Sequence, residues 1–319
     1  MKILVIHTFG LGDMIMFTPS LQNISNSFPN VKIDFLILQK ISVAPINEYI
    51  GVHKLYFIQN SFIQNMILLN QLRNIQYDYI LHTSGTSTLK MSLIMLLLNG
   101  KNKFGECTNI RVPWYKDQVK KDENIHRVNS NLKIVALIKD MKIEKEQPFF
   151  SLKNENILCA NSFLKENKKL RLIGIHPGCN EKFANKRWEI DKYKELINQF
   201  QNKLKNILIY IFIGPDERDI GIELKQSLNN IIIVDNRLDD TAAIISKMNL
   251  FITNDSGLGH IASCFNMDIV TIFSKNTHAN PNKIYPYSEK SHIIDFKTIK
   301  TDDEVEVVYK YIKSLLEEI

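Results

Sequence analysis

The feature that most constrains this 319-residue chain is a pattern that recurs along it: a short apolar run, a polar loop with glycines, then a helical stretch. Lys2 to His7 is such a run, without strict alternation, which suits a parallel strand buried on both faces. The loop from Thr8 to Asp13 carries Gly10 and Gly12, and residues 14–24 read as a helix in which Pro19 must sit at a kink or in a first turn. Strand, glycine loop and helix open a doubly wound α/β domain. Runs at 32–38, 54–58 and 77–82 read as further strands, with helices at 44–49, 63–74, 88–98 and 126–139, while 101–125 reads as irregular. A second series follows Gln147 to Phe150. Its strands are 170–176, 206–213, 231–234, 250–253 and 268–273; its helices are 156–166, one from Trp188 to about 202, 217–228, 241–247 and an amphipathic 301–318. Strands alternating with helices imply largely parallel sheets. Two Rossmann-like domains are expected, 1–150 and 151–319, with helix 301–318 able to pack back on the first.

Composition narrows the class. The longest apolar run, at 92–98, is far short of the ~20 residues that span a bilayer, and Gly10, Gly12 and Asp13 interrupt the start before a secretion signal forms. A cytoplasmic protein is expected. Cys107, Cys159, Cys179 and Cys264 lie far apart, and the histidines lack metal-ligand spacing, so reduced thiols and no structural metal are expected. The net charge of +6 sits wholly in the first half: residues 1–150 hold 17 Lys and Arg against 11 Asp and Glu. That is either a lysine-rich solvated surface or a face for something anionic, such as a phosphorylated glycolipid or a membrane surface. No basic helix or aromatic–basic repeat points to nucleic acid.

Ligands bind doubly wound sheets at the C-terminal strand ends. Two facing domains would place the loops 8–13, 82–86, 176–187, 214–217, 235–239 and 254–260 across one cleft. The sharpest is Asn254-Asp255-Ser256-Gly257-Leu258-Gly259-His260, where an apolar run ends in good helix N-caps and then glycines. Backbone N–H groups of Ser256, Gly257, Leu258 and Gly259 at a helix start form a seat for phosphate, or simply a capped helix.

With these loops assembled, the chain resembles glycosyltransferase family 9, the ADP-heptose:lipopolysaccharide heptosyltransferases, over nearly its whole length. The likeness rests on four segments in order: Gly12-Asp13 with Thr18-Pro19; His176-Pro177-Gly178 followed by Lys186-Arg187-Trp188; Gly214-Pro215-Asp216-Glu217; and Asn254 to His260. It implies the two-domain GT-B fold and an inverting, metal-independent transfer of a sugar from a nucleotide-sugar donor, ADP-heptose, with no further cofactor. The implied acceptor is a lipopolysaccharide-type or other anionic glycan at the inner face of the cytoplasmic membrane, with peripheral attachment at most.

Asp13 stands where the family has its proposed base; read alone it is as well a helix-capping aspartate. Lys186 stands before Trp188 as in the family's pattern, placed to offset the charge that grows on the departing diphosphate, or else is one more surface lysine. Arg187 would assist, and Trp188 reads as packing. Donor contacts are expected from Gly178 and Cys179, with Asn180, through amides where some members carry hydroxyls. Asp255 would hold sugar hydroxyls or cap a helix. His260 would meet a phosphate or the donor sugar, or fill the core. Glu217 would accept from ribose hydroxyls, and Leu238, in the loop from Asn236, would edge the base. Asp239-Asp240 reads as capping rather than a metal pair, since lysine and helix N-termini can replace a cation. For the acceptor, charge and position suggest His82, Ser84, Lys101, Lys103, Arg111 and Lys116. Three other readings stay open: a sugar-nucleotide epimerase on the same fold, a nicotinamide dehydrogenase, and a catalytically silent binding protein. The dehydrogenase fits least, since Gly10 and Gly12 are followed by Ile15 where its signature needs glycine.

Overall fold

Apolar runs without alternation need cover on both faces, and each half of the chain provides it with a six-stranded, all-parallel sheet. The computed structural model describes residues 1–85, 88–108, 111–164, 170–179 and 181–318. The chain divides into two compact units, Met1–Ser151 and Leu152–Ile319.

In the first unit the strands are β1 (Lys2–His7), β2 (Lys32–Ile37), β3 (Val52–Phe57), β4 (Tyr77–His82), β5 (Gly100–Cys107) and β6 (Asp117–Lys120), in the order β3-β2-β1-β4-β5-β6. The helices are α1 (Leu11–Ile15), α2 (Thr18–Ser27), α3 (Phe62–Arg73), α4 (Thr88–Leu97) and α5 (Arg127–Val135). One sheet face is covered by α1, α2 and α5 through Met14, Phe17, Leu21 and Ile134, the other by α3 and α4 through Leu72, Met91 and Met95. The helix expected over 14–24 is two helices. Pro19 lies in the first turn of α2, where a missing N–H costs nothing, and Thr18 Oγ1 donates to Ile15 O at 2.7 Å across the break. Residues 44–49 fall partly in a 3₁₀ helix, Lys40–Ile46.

The segment 101–125, expected to be irregular, contains β5 and β6. Both are polar near an edge of the sheet, so apolar periodicity does not reveal them; parallel pairing of β5 to β4 and of β6 to β5 does.

The second unit holds α6 (Asn154–Phe163), β7 (Arg171–His176), α7 (Ile190–Lys203), β8 (Ile207–Phe212), α8 (Arg218–Ser227), β9 (Ile231–Val234), α9 (Leu238–Ile245), β10 (Leu250–Asn254), α10 (Gly257–Ala262), β11 (Asp268–Phe273), α11 (Pro281–Ile284), β12 (Ser291–Asp295) and α12 (Glu304–Glu318). Its order, β12-β11-β10-β7-β8-β9, repeats that of the first unit. The edge strand β12 escapes a reading by periodicity because it is short and half polar. In each unit the strand order reverses beside the first strand, between β1 and β4 and between β7 and β10, and the loops leaving those pairs open the crevice such sheets use for ligands.

The last helix belongs to the second unit's core. Val305, Val308, Tyr309, Ile312 and Leu316 are buried there, so its apolar stripe is accounted for without the first unit. Its entry is held by the buried carboxylate of Glu304, which accepts from Trp188 Nε1 at 2.7 Å, Lys275 Nζ at 2.7 Å and Lys192 Nζ at 3.0 Å. Burial of that carboxyl alone would raise its pKa; the bonds from Lys275, Trp188 and Lys192 prevail and lower it. Replacing Glu304 by Ala leaves the buried indole N–H without an acceptor and is expected to cost roughly 2 kcal/mol in urea unfolding. Glu304→Gln, which keeps an acceptor for Trp188, loses clearly less.

Candidate active site

In the first unit Asp13 is the third residue of α1, immediately past β1. Its carboxylate accepts from Nη1 of Arg127, the first residue of α5, and both side chains are about one-fifth exposed. The guanidinium lies over the Phe9 ring at 5.6 Å and against Gly85, whose φ of +87° and lack of a Cβ permit that approach. Beneath Asp13, His7 is fully buried, 3.1 Å from Thr83 Oγ1 and 3.4 Å from Gly10 O. The loop after β4 is tied down by side chains from elsewhere: Asn131 Oδ1 accepts from Ser84 N at 2.8 Å, and Glu106 accepts from Ser84 Oγ at 3.1 Å and Gly85 N at 3.0 Å.

The residues expected to meet an acceptor do not gather here. His82 has no exposed surface; it packs over Gly105, where a Cβ would come within 2.0 Å of the ring. Ser84 is buried against Glu106. Lys101 is the second residue of β5 and pairs with Asp78 at 2.8 Å, on the N-terminal edge of the sheet, opposite the Asp13 loop. Lys116 precedes β6 and donates its N–H to Lys103 O, toward that same edge. Lys103 is half-buried, and burial lowers its pKa. Arg111 is exposed on the connection between β5 and β6. Charge alone does not say on which end of a strand a lysine falls. Sequence reasoning missed Arg127, Glu106 and Asn131; the one signal for Arg127 is its place at a helix start after a strand series.

In the second unit the organising residue is Asn254, last in β10 and fully buried. Its Nδ2 donates to Pro177 O at 2.7 Å and Gly178 O at 3.2 Å; its Oδ1 accepts from Trp188 N at 2.9 Å and Tyr193 OH at 3.1 Å. All four hydrogen-bonding positions of the amide are used. The loop after β7 and the segment through Trp188 are thereby fixed to β10. This sets Lys186 beside Asp255: Nζ to Oδ2 is 2.6 Å, and Lys186 also lies over the Phe183 ring. Ser256 caps α10 by accepting from Gly259 N at 3.3 Å, with Thr253 Oγ1 2.9 Å from its hydroxyl. That leaves the part-exposed Gly257 and Leu258 as the first-turn amides without a partner among the described residues. Gly259 is required by close packing, since a Cβ would meet Thr253 Cγ2 at 2.8 Å.

Cys179 is buried, its thiol pushed up by burial and its Sγ 3.2 Å from Phe183 O. Glu217 is also buried. It accepts from Gly214 N at 2.6 Å and fills the space a Cβ on Gly178 would need. Asn180 lies outside the described residues. Arg187 donates to Cys179 O, Trp188 is core, and His260 is buried on α10. Leu238 opens α9, where Asp240 accepts from Asn156.

The buried histidines and the buried amide each make stability measurable in a specific way. Burial lowers the pKa of both His7 and His82 below the ordinary 6.5, with Asp13 and Glu106 respectively acting the other way. Below about pH 6.5 the unfolded chain therefore binds protons that the folded first unit refuses, so stability falls as pH drops toward the folded values. Unfolding curves between about pH 7 and about pH 5 are expected to show this fall, and less of it in His82→Gln. Asn254→Asp, nearly isosteric, removes two donors and sets carboxylate against two carbonyls. It is expected to cost roughly 3 kcal/mol in denaturant unfolding.

The profile described as glycosyltransferase family 9 (heptosyltransferase) matches residues 66–310. Lipooligosaccharide heptosyltransferase 2 of Campylobacter jejuni is 27% identical over 292 residues, covering 88% of this chain and 84% of that protein. The crystal structure of a family 9 glycosyltransferase from Veillonella parvula superposes with a TM-score of 0.83 at 18% identity, over 100% of this chain and 97% of that one. The structure of Escherichia coli ADP-heptose lps heptosyltransferase II gives 0.78 at 21% identity, over 100% of both chains. The fold is thus the GT-B fold of these enzymes.

Proposed function

The chain belongs to glycosyltransferase family 9, and from that premise we propose that it is an inverting, metal-independent heptosyltransferase. The donor is ADP-heptose, a choice supported by the Escherichia coli ADP-heptose lps heptosyltransferase II that shares its fold. The acceptor is a hydroxyl of a lipopolysaccharide-type oligosaccharide, in keeping with the Campylobacter relative. The enzyme works in the cytoplasm, at the inner membrane face where such an acceptor is presented. Family membership sets the epimerase, dehydrogenase and silent-binder readings aside.

The single observation that carries the reading is the Lys186–Asp255 pair beside the capped start of α10. Asp255, which holds the ammonium, directly precedes the Ser256 cap of α10, and an ammonium together with first-turn amides is the complement of a diphosphate. On departure of the nucleoside diphosphate the anomeric C–O bond breaks and negative charge grows on the leaving oxygen. Lys186 is placed to offset that charge without a metal ion. Asp255 holds the ammonium at rest and turns to sugar hydroxyls when phosphate takes its partner.

Asp13 is the base. It takes the proton of the acceptor hydroxyl as that oxygen bonds to the anomeric carbon, and single displacement inverts the centre. Arg127 fixes the carboxylate with one oxygen, leaving the other for the acceptor. Arg111, being exposed, is the best placed cation for an anionic acceptor; His82 and Ser84 support the loop instead.

Asp13→Asn keeps an acceptor for Arg127 and removes the base. Transfer is expected to fall by roughly a hundredfold to ten-thousandfold with donor affinity unchanged, whereas Lys186→Ala weakens both. Turnover of Asp13→Asn at the wild-type rate would overturn the base assignment. Thermal-shift titration against ADP-, GDP- and UDP-sugars tests the donor, the expected response being to ADP-heptose.

A further inference from the structure

The Lys186 ammonium has two neighbours of different kinds. Asp255 Oδ2 accepts from it at 2.6 Å, and the Phe183 ring faces it, 4.9 Å from Nζ to the ring centre. Phe183 is not a core residue: it is 51% exposed, whereas Trp188 in the same segment is buried. A single exposed phenylalanine is unremarkable. This one carries a cation on its face, and that cation is the one the transferase reading sets against the donor's phosphates.

The local backbone accounts for the contact. Glu181–Lys186 is a 3₁₀ segment, kinked at Phe183 with φ −122° and ψ 27°. At three residues per turn, side chains three apart lie above one another, as Phe183 and Lys186 do. The segment is held from both sides. Cys179 Sγ donates to Phe183 O at 3.2 Å, and Arg187 Nη2 to Cys179 O at 2.6 Å. From the loop after β11, Ser274 Oγ donates to Asn185 O at 3.3 Å, and Asn185 Nδ2 donates to Asn276 O at 3.4 Å. The backbone is fixed while the ring stays out of the core, so packing does not explain a large apolar side chain here. The chemistry of the two neighbours does. Asp255 occupies one of the three N–H donors of the ammonium and, being anionic, competes with an incoming diphosphate. An aromatic face attracts the cation through its quadrupole and uses no donor, so all three N–H groups remain for oxygens. The attraction also strengthens as water is displaced, which favours the phosphate-bound state.

We propose that Phe183 is a positioning residue whose ring face holds the Lys186 ammonium in place for the donor's diphosphate. It keeps that hold when Asp255 gives the ammonium up to phosphate, so the cation is still aimed as charge grows on the leaving oxygen. The role given to Lys186 rests on the transferase reading; the contact with Phe183 does not.

The test replaces Phe183 in the full chain by mono-, di- and trifluorophenylalanine, which keep the ring's shape while draining charge from its face in steps. Calorimetric titration with ADP is expected to give a dissociation constant that rises at each step, by about fivefold to tenfold over the series. Phe183→Trp, with the stronger face, binds ADP at least as tightly as wild type, and Phe183→Leu binds it as weakly as the trifluoro chain. Melting temperatures stay at the wild-type value, because the side chain is half exposed. In a Lys186→Met background the fluorine series is expected to be flat. Two results overturn the proposal. A flat series with Lys186 present makes the ring mere cover, and a graded series that persists without Lys186 makes it a direct ligand contact. The transferase reading is judged separately, by whether the wild type binds ADP and whether Lys186→Met weakens that binding.

Discussion

Asn254 is a fully buried amide with every donor and acceptor used, and the second unit's site depends on it. A buried amide is costly if any of its positions is unmet. Its four partners, Pro177, Gly178, Trp188 and Tyr193, come from the loop after β7, the segment leading into α7 and α7 itself. One side chain thus fixes three pieces of backbone to the end of β10. Lys186 stands two residues before one of those anchors, and Asp255 follows Asn254 directly. Their 2.6 Å contact is set by short, rigid connections rather than by the reach of a flexible lysine. That is the pre-organisation an electrostatic catalyst needs, because the reorganisation is completed during folding.

The first unit solves the same problem with different chemistry. Its strand order is identical, and its two central loops also leave adjacent strands. Here the tie comes from α5: Asn131 accepts from Ser84 N and donates to Met16 O at 3.3 Å, bridging the loop after β4 to the end of α1. Arg127, one turn earlier on α5, reaches Asp13 in the middle of α1. Helix α5 therefore grips α1 at two points. In both units a buried polar side chain, Asn131 or Asn254, ties down the backbone from which Asp13 or Lys186 projects.

These ties also mark the boundary of what is legible in the sequence. The four central strands are apolar runs that end at His7, His82, His176 and Asn254, each ahead of a polar loop with glycine, so β1, β4, β7 and β10 can be read from it, and the places of Asp13, Lys186 and Asp255 beyond their ends. The partners cannot. Arg127 is 114 residues from Asp13, and Asn254 looks like the polar end of a strand because its bonds are long-range. Strands β5 and β6 carry lysines where a periodicity argument looks for valines. Without their register, Lys101 and Lys116 cannot be assigned to the edge away from Asp13. Glu217 and Cys179 sit at the expected loops but are buried, since position along a chain does not report which way a side chain turns.

The unequal charge of the two units has a structural origin as well. In the second unit lysines face carboxylates placed for them: Lys192 with Glu189, Lys194 with Asp191, Lys310 with Glu306 and Lys313 with Glu317, all at helical spacing. Each exposed pair contributes little to stability, and the unit as a whole is balanced, with 23 charges of each sign, so it has no net field and any attraction for an anion there is local. The first unit lacks such pairing on α3, which has no acidic residue in its 12 positions. Its net charge of +6 therefore acts at longer range and is screened by salt.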